Sequence, residues 1–152
     1  MTMDWPALAA GAVFGVVLSA AATWKLSALV RKRSELRALN RDYRSLNGQY
    51  LTYSVRDDGA QEPTGGTVEV TWEANEGLLE ASAFAANGHP EWHSYLRMSR
   101  EYPGTGAGNY NNSNSIHGGV VQVIYVKQTR SFYVMGVTPA RREFSQCWRP
   151  KG

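Results

Sequence analysis

Gly66-Thr67-Val68-Glu69-Val70-Thr71-Trp72-Glu73 is the stretch that decides the fold. Val68, Val70 and Trp72 alternate with Thr67, Glu69, Thr71 and Glu73, a period of two that places the apolar side chains on one face of a strand. Asn75-Glu76-Gly77 follows as a turn signal, and Leu78–Ala86 is the next strand-like run. A link this short pairs neighbouring strands antiparallel.

Working outward, the same grammar predicts strands at Gln49–Arg56, Glu91–Arg100, Ala107–Asn112, Gly119–Lys127, Ser131–Thr138 and Glu143–Arg149. The breaks are Asp57-Asp58-Gly59, Asn87-Gly88-His89-Pro90, Pro103-Gly104, the Asn/Ser/Gly stretch 109–119, and Pro139. Eight short strands without an intervening helix point to a mainly β domain: an eight-stranded antiparallel up-and-down, lipocalin-like barrel, or a tight sandwich. Closure would remove exposed sheet edges. Alternation turns Val68, Val70 and Trp72 inward, and Leu51, Tyr53 and Val55 by the same test. Trp92, Leu96 and Met98 share a face with Ser94 and Arg100. Residues 119–127 and 131–138 are apolar on both faces, which leaves their register open.

Upstream of Gly48 the pattern changes. Ala7 to Trp24 carries no charge. As a helix it spans about 27 Å, close to the hydrocarbon thickness of a bilayer. Trp5 and Trp24 flank it at interfacial positions, and Pro6 suits a first turn. A cleaved signal peptide is the competing reading, with small residues at Ser19-Ala-Ala-Ala. It wants positive charge before the apolar run, where only Asp4 stands. The basic residues come after it. Residues 25–44 hold Lys25, Arg31, Lys32, Arg33, Arg37, Arg41 and Arg44 against Glu35 and Asp42. The positive-inside rule then places the N-terminus outside and residues 25–152 in the cytoplasm, on the inner membrane if the cell is bacterial. Ala7, Gly11, Gly15, Ser19 and Thr23 recur every four residues, a small face of the GxxxG kind through which helices pack in lipid.

Three parts result: a transmembrane helix over 1–30, a basic juxtamembrane helical connector over 31–46, and a β-barrel domain over 47–152. In the connector, Leu36, Leu39, Tyr43 and Leu46 form an apolar stripe. Leu29, Leu36 and Tyr43 also repeat every seven residues, too few for a coiled coil. The alternative is a helix packed back on its own domain.

Composition excludes several classes. Residues 45–152 carry nine basic and ten acidic side chains, so the net charge of +3 belongs to the connector and not to a nucleic-acid-binding face on the domain. The single cysteine, Cys147, builds no disulfide framework. His89 and His93 are four apart, but Pro90 opposes the helix that would make them a metal pair. His117 stands alone. Gly104, Gly106 and Gly108 lack the Lys-Ser/Thr and the strand–loop–helix context of a phosphate loop, and read as a flexible loop. Asn111-Asn112-Ser113 is a glycosylation sequon, silent in a cytoplasmic domain. No catalytic constellation, metal or cofactor is expected. What remains is a candidate lumen of flat aromatics, Tyr53, Trp72, Trp92, Tyr110 and Trp148, with Ser94, Arg100, Gln122 and Gln146 as polar neighbours. Such a set binds planar or phosphate-bearing ligands; the plainer alternative is an aromatic core.

Leu46-Asn-Gly-Gln-Tyr50, Glu91-Trp92-His-Ser-Tyr-Leu-Arg-Met98, and Gly106-Ala-Gly-Asn-Tyr110 with Gly118-Gly119 make the layout resemble a family. It is similar to the membrane effectors of bacterial cyclic-oligonucleotide anti-phage signalling (CBASS) that join N-terminal transmembrane segments to a small cytosolic β-barrel. The resemblance implies a barrel that senses a cyclic dinucleotide, oligomerises on binding and disrupts the inner membrane. This chain departs from the family in having one hydrophobic segment rather than two. The partners implied are membrane lipid, further copies of the chain and a cyclic nucleotide. The alternatives are a lipocalin-like tethered module for an apolar ligand and a structural subunit of a membrane complex.

Overall fold

The computed structural model describes the backbone of residues 5–114 and 118–152, and side chains from Thr23 onward within those ranges. Helix α1 (Trp5–Tyr43) leads into a 3-10 turn at Arg44–Leu46. Eight strands follow: β1 (Gly48–Val55), β2 (Gln61–Glu73), β3 (Leu78–Phe84), β4 (Pro90–Met98), β5 (Thr105–Asn112), β6 (Gly118–Val126), β7 (Ser131–Val137) and β8 (Glu143–Pro150). They form a closed barrel in sequence order, each strand antiparallel to the next, and β8 returns to pair with β1. The up-and-down barrel expected from the alternating runs is the observed fold.

The chain divides into two compact units, Met1–Ala38 and Leu39–Gly152. In the first, Arg31 pairs with Glu35 one turn on, at 3.1 Å. Among the described residues, no helix is long and apolar enough to cross a membrane. Nearly all of the 7–24 run, with Gly11, Gly15 and Ser19, lies outside the residues whose side chains are described.

The second unit holds the core. Val68, Val70, Leu79, Ala81, Leu96, Val121, Val123, Phe132, Val134 and Trp148 are buried inside the barrel. Trp72 is inside, as the alternation of β2 requires. Aromatic rings run through the interior in a chain of contacts: Tyr50 to Phe132 at 5.3 Å, Phe132 to Trp148 at 5.7 Å and Trp148 to Trp92 at 5.6 Å. From Trp92 the chain continues to Tyr110 at 6.2 Å, and from Tyr110 to Phe144 at 5.7 Å. Edge-to-face and tilted contacts of this kind add to the energy of area burial.

The connector stripe packs back on its own domain. Leu39, Tyr43 and Leu46 join the barrel's core cluster and stopper the end where β1 begins. Polar groups fix the stopper. Trp72 donates its indole N–H to Asn40 Oδ1 at 2.6 Å and its backbone N–H to Asn47 Oδ1 at 2.7 Å. Gly104 N–H donates to the Tyr43 hydroxyl at 2.8 Å, and the Tyr50 hydroxyl donates to the Leu46 carbonyl at 2.8 Å.

Four expectations need correction. In β1 the inward residues are Tyr50 and Thr52, whereas Leu51, Tyr53 and Val55 lie on the outer face. Hydrophobicity alone mis-set the phase: Tyr50 packs on Phe132 and bonds to the stopper, and the Thr52 hydroxyl is satisfied by Thr64. β2 begins at Gln61, not Gly66. The pairing steps from Leu51↔Thr67 to Tyr53↔Pro63, so Thr64, Gly65 and Gly66 bulge opposite Thr52, with Gly65 at φ +79°. The glycine-rich run 104–108 is mostly strand β5, paired with β4 and β6, and its glycines allow close approach: a Cβ on Gly108 would meet the Tyr95 carbonyl oxygen at 2.0 Å. Gln122 faces solvent between the buried Val121 and Val123. The outer faces of β6 and β7 are apolar as well: Val120 lies beside Val137, Ile124 beside Tyr133, and Met135 beside Gln122, all exposed.

Phe132→Ala is expected to destabilise the barrel by about 3–5 kcal/mol, because it opens a cavity in the ring chain. Met135→Ala on the outer face should stay within about 0.5 kcal/mol. Denaturant titration of the full chain, followed by circular dichroism, distinguishes them; equal effects would contradict the inside–outside assignment.

Candidate functional site

Each end of the barrel carries a recess. The open end is the one where β1 finishes and β4, β6 and β8 begin. There a recess of about 240 Å³ is lined by Thr52, Thr64, Gly66, Glu91, Trp92 and Gln146, with alanines of the β3–β4 turn. The bulge in β2 makes its shape. Gly66 sits close enough to β3 that a Cβ would meet the Phe84 carbonyl oxygen at 2.8 Å. The Thr64 hydroxyl accepts from the Gly66 N–H at 3.2 Å and donates to the Thr52 carbonyl at 3.1 Å.

Trp92 and Gln146 give this mouth its chemistry. Trp92 is half-buried, with its indole tilted 31° against Trp148. Trp148 donates its indole N–H to Gln146 Oε1 at 3.1 Å, so the donors of the Gln146 amide are not used in that bond, and Gln146 lines the recess. A flat ligand could therefore stack on Trp92 and accept a hydrogen bond from Gln146. Glu91 supplies an acceptor for a ligand N–H and disfavours a phosphate at the same spot.

The sequence-derived lumen set divides. Trp92, Tyr110 and Trp148 come together toward this mouth. Ser94 is buried among them and spends its hydroxyl on the Asn109 carbonyl at 2.9 Å. Burial raises the Tyr110 phenol pKa above its ordinary value, so the ring enters the site as a neutral group. Trp72 is inside but at the stoppered end, bonded to Asn40. Arg100 is exposed, beyond the end of β4. Tyr53 lies on the outer face under the Arg149 guanidinium, 4.9 Å from its ring centre, and Gln122 is likewise outside. Thr52, Thr64 and Glu91 were missed. The Gly65-Gly66 pair was the available signal, since glycine inside a strand often marks a bulge.

At the stoppered end a second groove, of about 550 Å³, lies between residues 41–45 and the loops that carry Gly104 and Lys127. Tyr50 is buried beneath this end. Its phenol is pushed up to about 12, chiefly by burial, with Tyr125 adding to the rise and Arg130 opposing it.

His93 meets Glu80 at 2.8 Å, both half-exposed on the outer face, with Ser82 opposite His93 in the β3–β4 ladder. Among the described residues no cluster of three His, Cys, Asp or Glu side chains could hold a metal ion. Cys147 is buried opposite Tyr53 and Tyr133.

Fold and site together define a stoppered eight-stranded up-and-down barrel with an aromatic mouth. No family model matches the chain, and no curated protein or solved structure matches it either.

The raised Tyr50 pKa gives a signed expectation. The folded state favours the protonated phenol, so Tyr50 contributes stability that is complete below about pH 10 and lost as pH rises toward about 12. The stability gap between wild type and Tyr50→Phe should therefore shrink across that window in pH-resolved denaturation; a constant gap would contradict the burial of an ionisable phenol there.

Proposed function

We propose that the chain is a membrane-anchored sensor whose barrel binds a small nucleotide-derived ligand at its open mouth and acts by self-association. The observation that carries this reading is the mouth itself: an indole face, a carboxamide donor and a carboxylate acceptor around one recess. A nucleobase needs that combination, a surface to stack on and hydrogen-bonding groups for its edge. The resemblance to cyclic-oligonucleotide effectors leads to the same class of ligand.

The recess of about 240 Å³ is below the roughly 300–1,000 Å³ of pockets that enclose a whole ligand. It accommodates one base and leaves the rest of a dinucleotide outside. A second barrel can then grip the other base, so that the ligand binds a pair better than a single copy. That difference is what a ligand needs in order to drive assembly. Drawing barrels together raises the local concentration of the N-terminal helices, whose Gly11/Gly15 face would then pack. Trp24, Leu26, Leu29 and Val30 are exposed on the helix, apolar surface suited to lipid or to a neighbouring helix.

The apolar outer face of β6 and β7 favours a second reading, an interaction subunit of a membrane complex. A stable hetero-complex surviving gentle detergent extraction would support it. An apolar-ligand carrier is less well served, because rings occupy the barrel interior.

Calorimetry of the full chain in detergent against a panel of cyclic dinucleotides tests the sensor reading. Binding should be weakened about tenfold or more in Trp92→Ala, from the loss of one base–aromatic stack. Ligand should also raise the sedimenting mass. Failure of every panel member to bind removes the messenger step.

A further inference from the structure

We propose that the groove at the stoppered end of the barrel is a second binding site, one that takes a phosphate group. Its volume, about 550 Å³, is that of a site able to hold a small ligand. Two cations from separate parts of the chain line it: Arg41 from the stopper and Lys127 from the β6–β7 turn. Tyr43, Ser45 and Tyr125 add hydroxyl groups on the same wall. The Tyr43 hydroxyl accepts from the Gly104 N–H, which leaves its own proton to donate to a ligand oxygen in the groove. An Arg fork, an ammonium and hydroxyl donors converging on one space suit a tetrahedral oxyanion with several acceptor oxygens.

The rim is set before anything binds. Gly104 is held from both sides, its N–H by Tyr43 and its carbonyl by the Tyr125 N–H at 2.6 Å. It lies at φ +90°, and a Cβ there would press on the Tyr125 carbonyl oxygen at 3.0 Å. Asp42 is the one carboxylate among the lining residues. Its contact with Arg41 is 3.8 Å long between well-exposed groups, so it is a weak competitor that a phosphate can displace. Lys127 takes part in none of the ion pairs found among the described residues. Arg130 approaches Tyr50 from the same turn and adds positive potential to this end.

The phosphate could belong to a free phosphorylated metabolite or to a lipid headgroup, and the test separates the two. Full chain in a non-ionic detergent is titrated with pyrophosphate and, separately, with dihexanoyl phosphatidic acid below its micelle concentration. Arg41→Ala/Lys127→Ala should weaken binding about tenfold or more, as expected for the loss of two charge-assisted contacts. Arg56→Ala/Arg142→Ala removes equal charge at the opposite end and should leave binding unchanged, as should Trp92→Ala. The Lys127→Gln single variant, checked by circular dichroism, guards against misfolding of the double variant. Discrimination with pyrophosphate supports the site with a free phosphate ligand; discrimination with the lipid alone supports it with a headgroup. Equal binding by wild type and Arg41→Ala/Lys127→Ala, or no binding of either ligand, overturns it.

Discussion

The pairing of β1 with β8 is the constraint on which the rest depends. From Tyr50↔Pro150 to Ser54↔Gln146 the ladder runs without a shift, and it converts a meander with two open edges into a closed wall. Closure sets more than edge protection. It brings Trp148 opposite Thr52 and Gln146 opposite Ser54, so the aromatic and amide groups of the last strand stand beside the bulged wall begun by the first two. The mouth exists because the far end of the first strand meets the start of the last. Its residues come from positions 52 to 146, a separation no local motif could span.

A small barrel must do something with its ends, because a closed wall leaves the rings inside open to water at top and bottom. Here the two ends are treated differently. The stopper uses the last turn of the helix to cover one end, with Leu39, Tyr43 and Leu46 as apolar contacts and Asn40 and Asn47 as hydrogen-bond acceptors for Trp72. That asymmetry explains why the groove at the stoppered end is rich in cations. The basic connector that follows the apolar run ends inside the barrel unit, so Arg41 and Arg44 are brought to its surface there. At the open end no such segment is found among the described residues, and Trp92 and Gln146 line the recess there.

Most of the architecture was legible because strand period and turn chemistry are local. Val68-x-Val70-x-Trp72, and Ser94, Leu96 and Met98, read the same in sequence and structure. The connector stripe Leu39, Tyr43 and Leu46 was also visible, though the surface it packs on was not. Failures came where the deciding contact was distant. Leu51 and Tyr53 looked more apolar than Thr52, yet the phase of β1 was set by Phe132, Leu46 and Thr64. The residues of the open mouth were half legible: aromatic identity pointed to Trp92, Tyr110 and Trp148, but the threonines of the bulge became site residues only once the register shift of β2 was known. Strand β6 could not be phased at all, because valine occupies both Val120 and Val121 and hydrophobicity carries no sign there.

The two recesses share one interior. Tyr125 of the groove lies 5.0 Å from Phe132, Phe132 touches Trp148, and Trp148 touches Trp92 of the mouth. Rings packed at interior density cannot shift singly, since a displaced ring either overlaps a neighbour or opens a void. A ligand stacked on Trp92 therefore meets a ring already held in place by Trp148 and, through it, by Phe132. Proximity alone does not establish coupling; coupling needs two discrete packings whose balance both sites bias. The stopper is the element best suited to have them. It is short, it is held by a few identifiable hydrogen bonds, and it is continuous with the helix that precedes the barrel. In a barrel whose wall is closed and whose interior is filled with rings, the stopper is the segment tied to the wall by side-chain hydrogen bonds at Asn40, Tyr43 and Asn47.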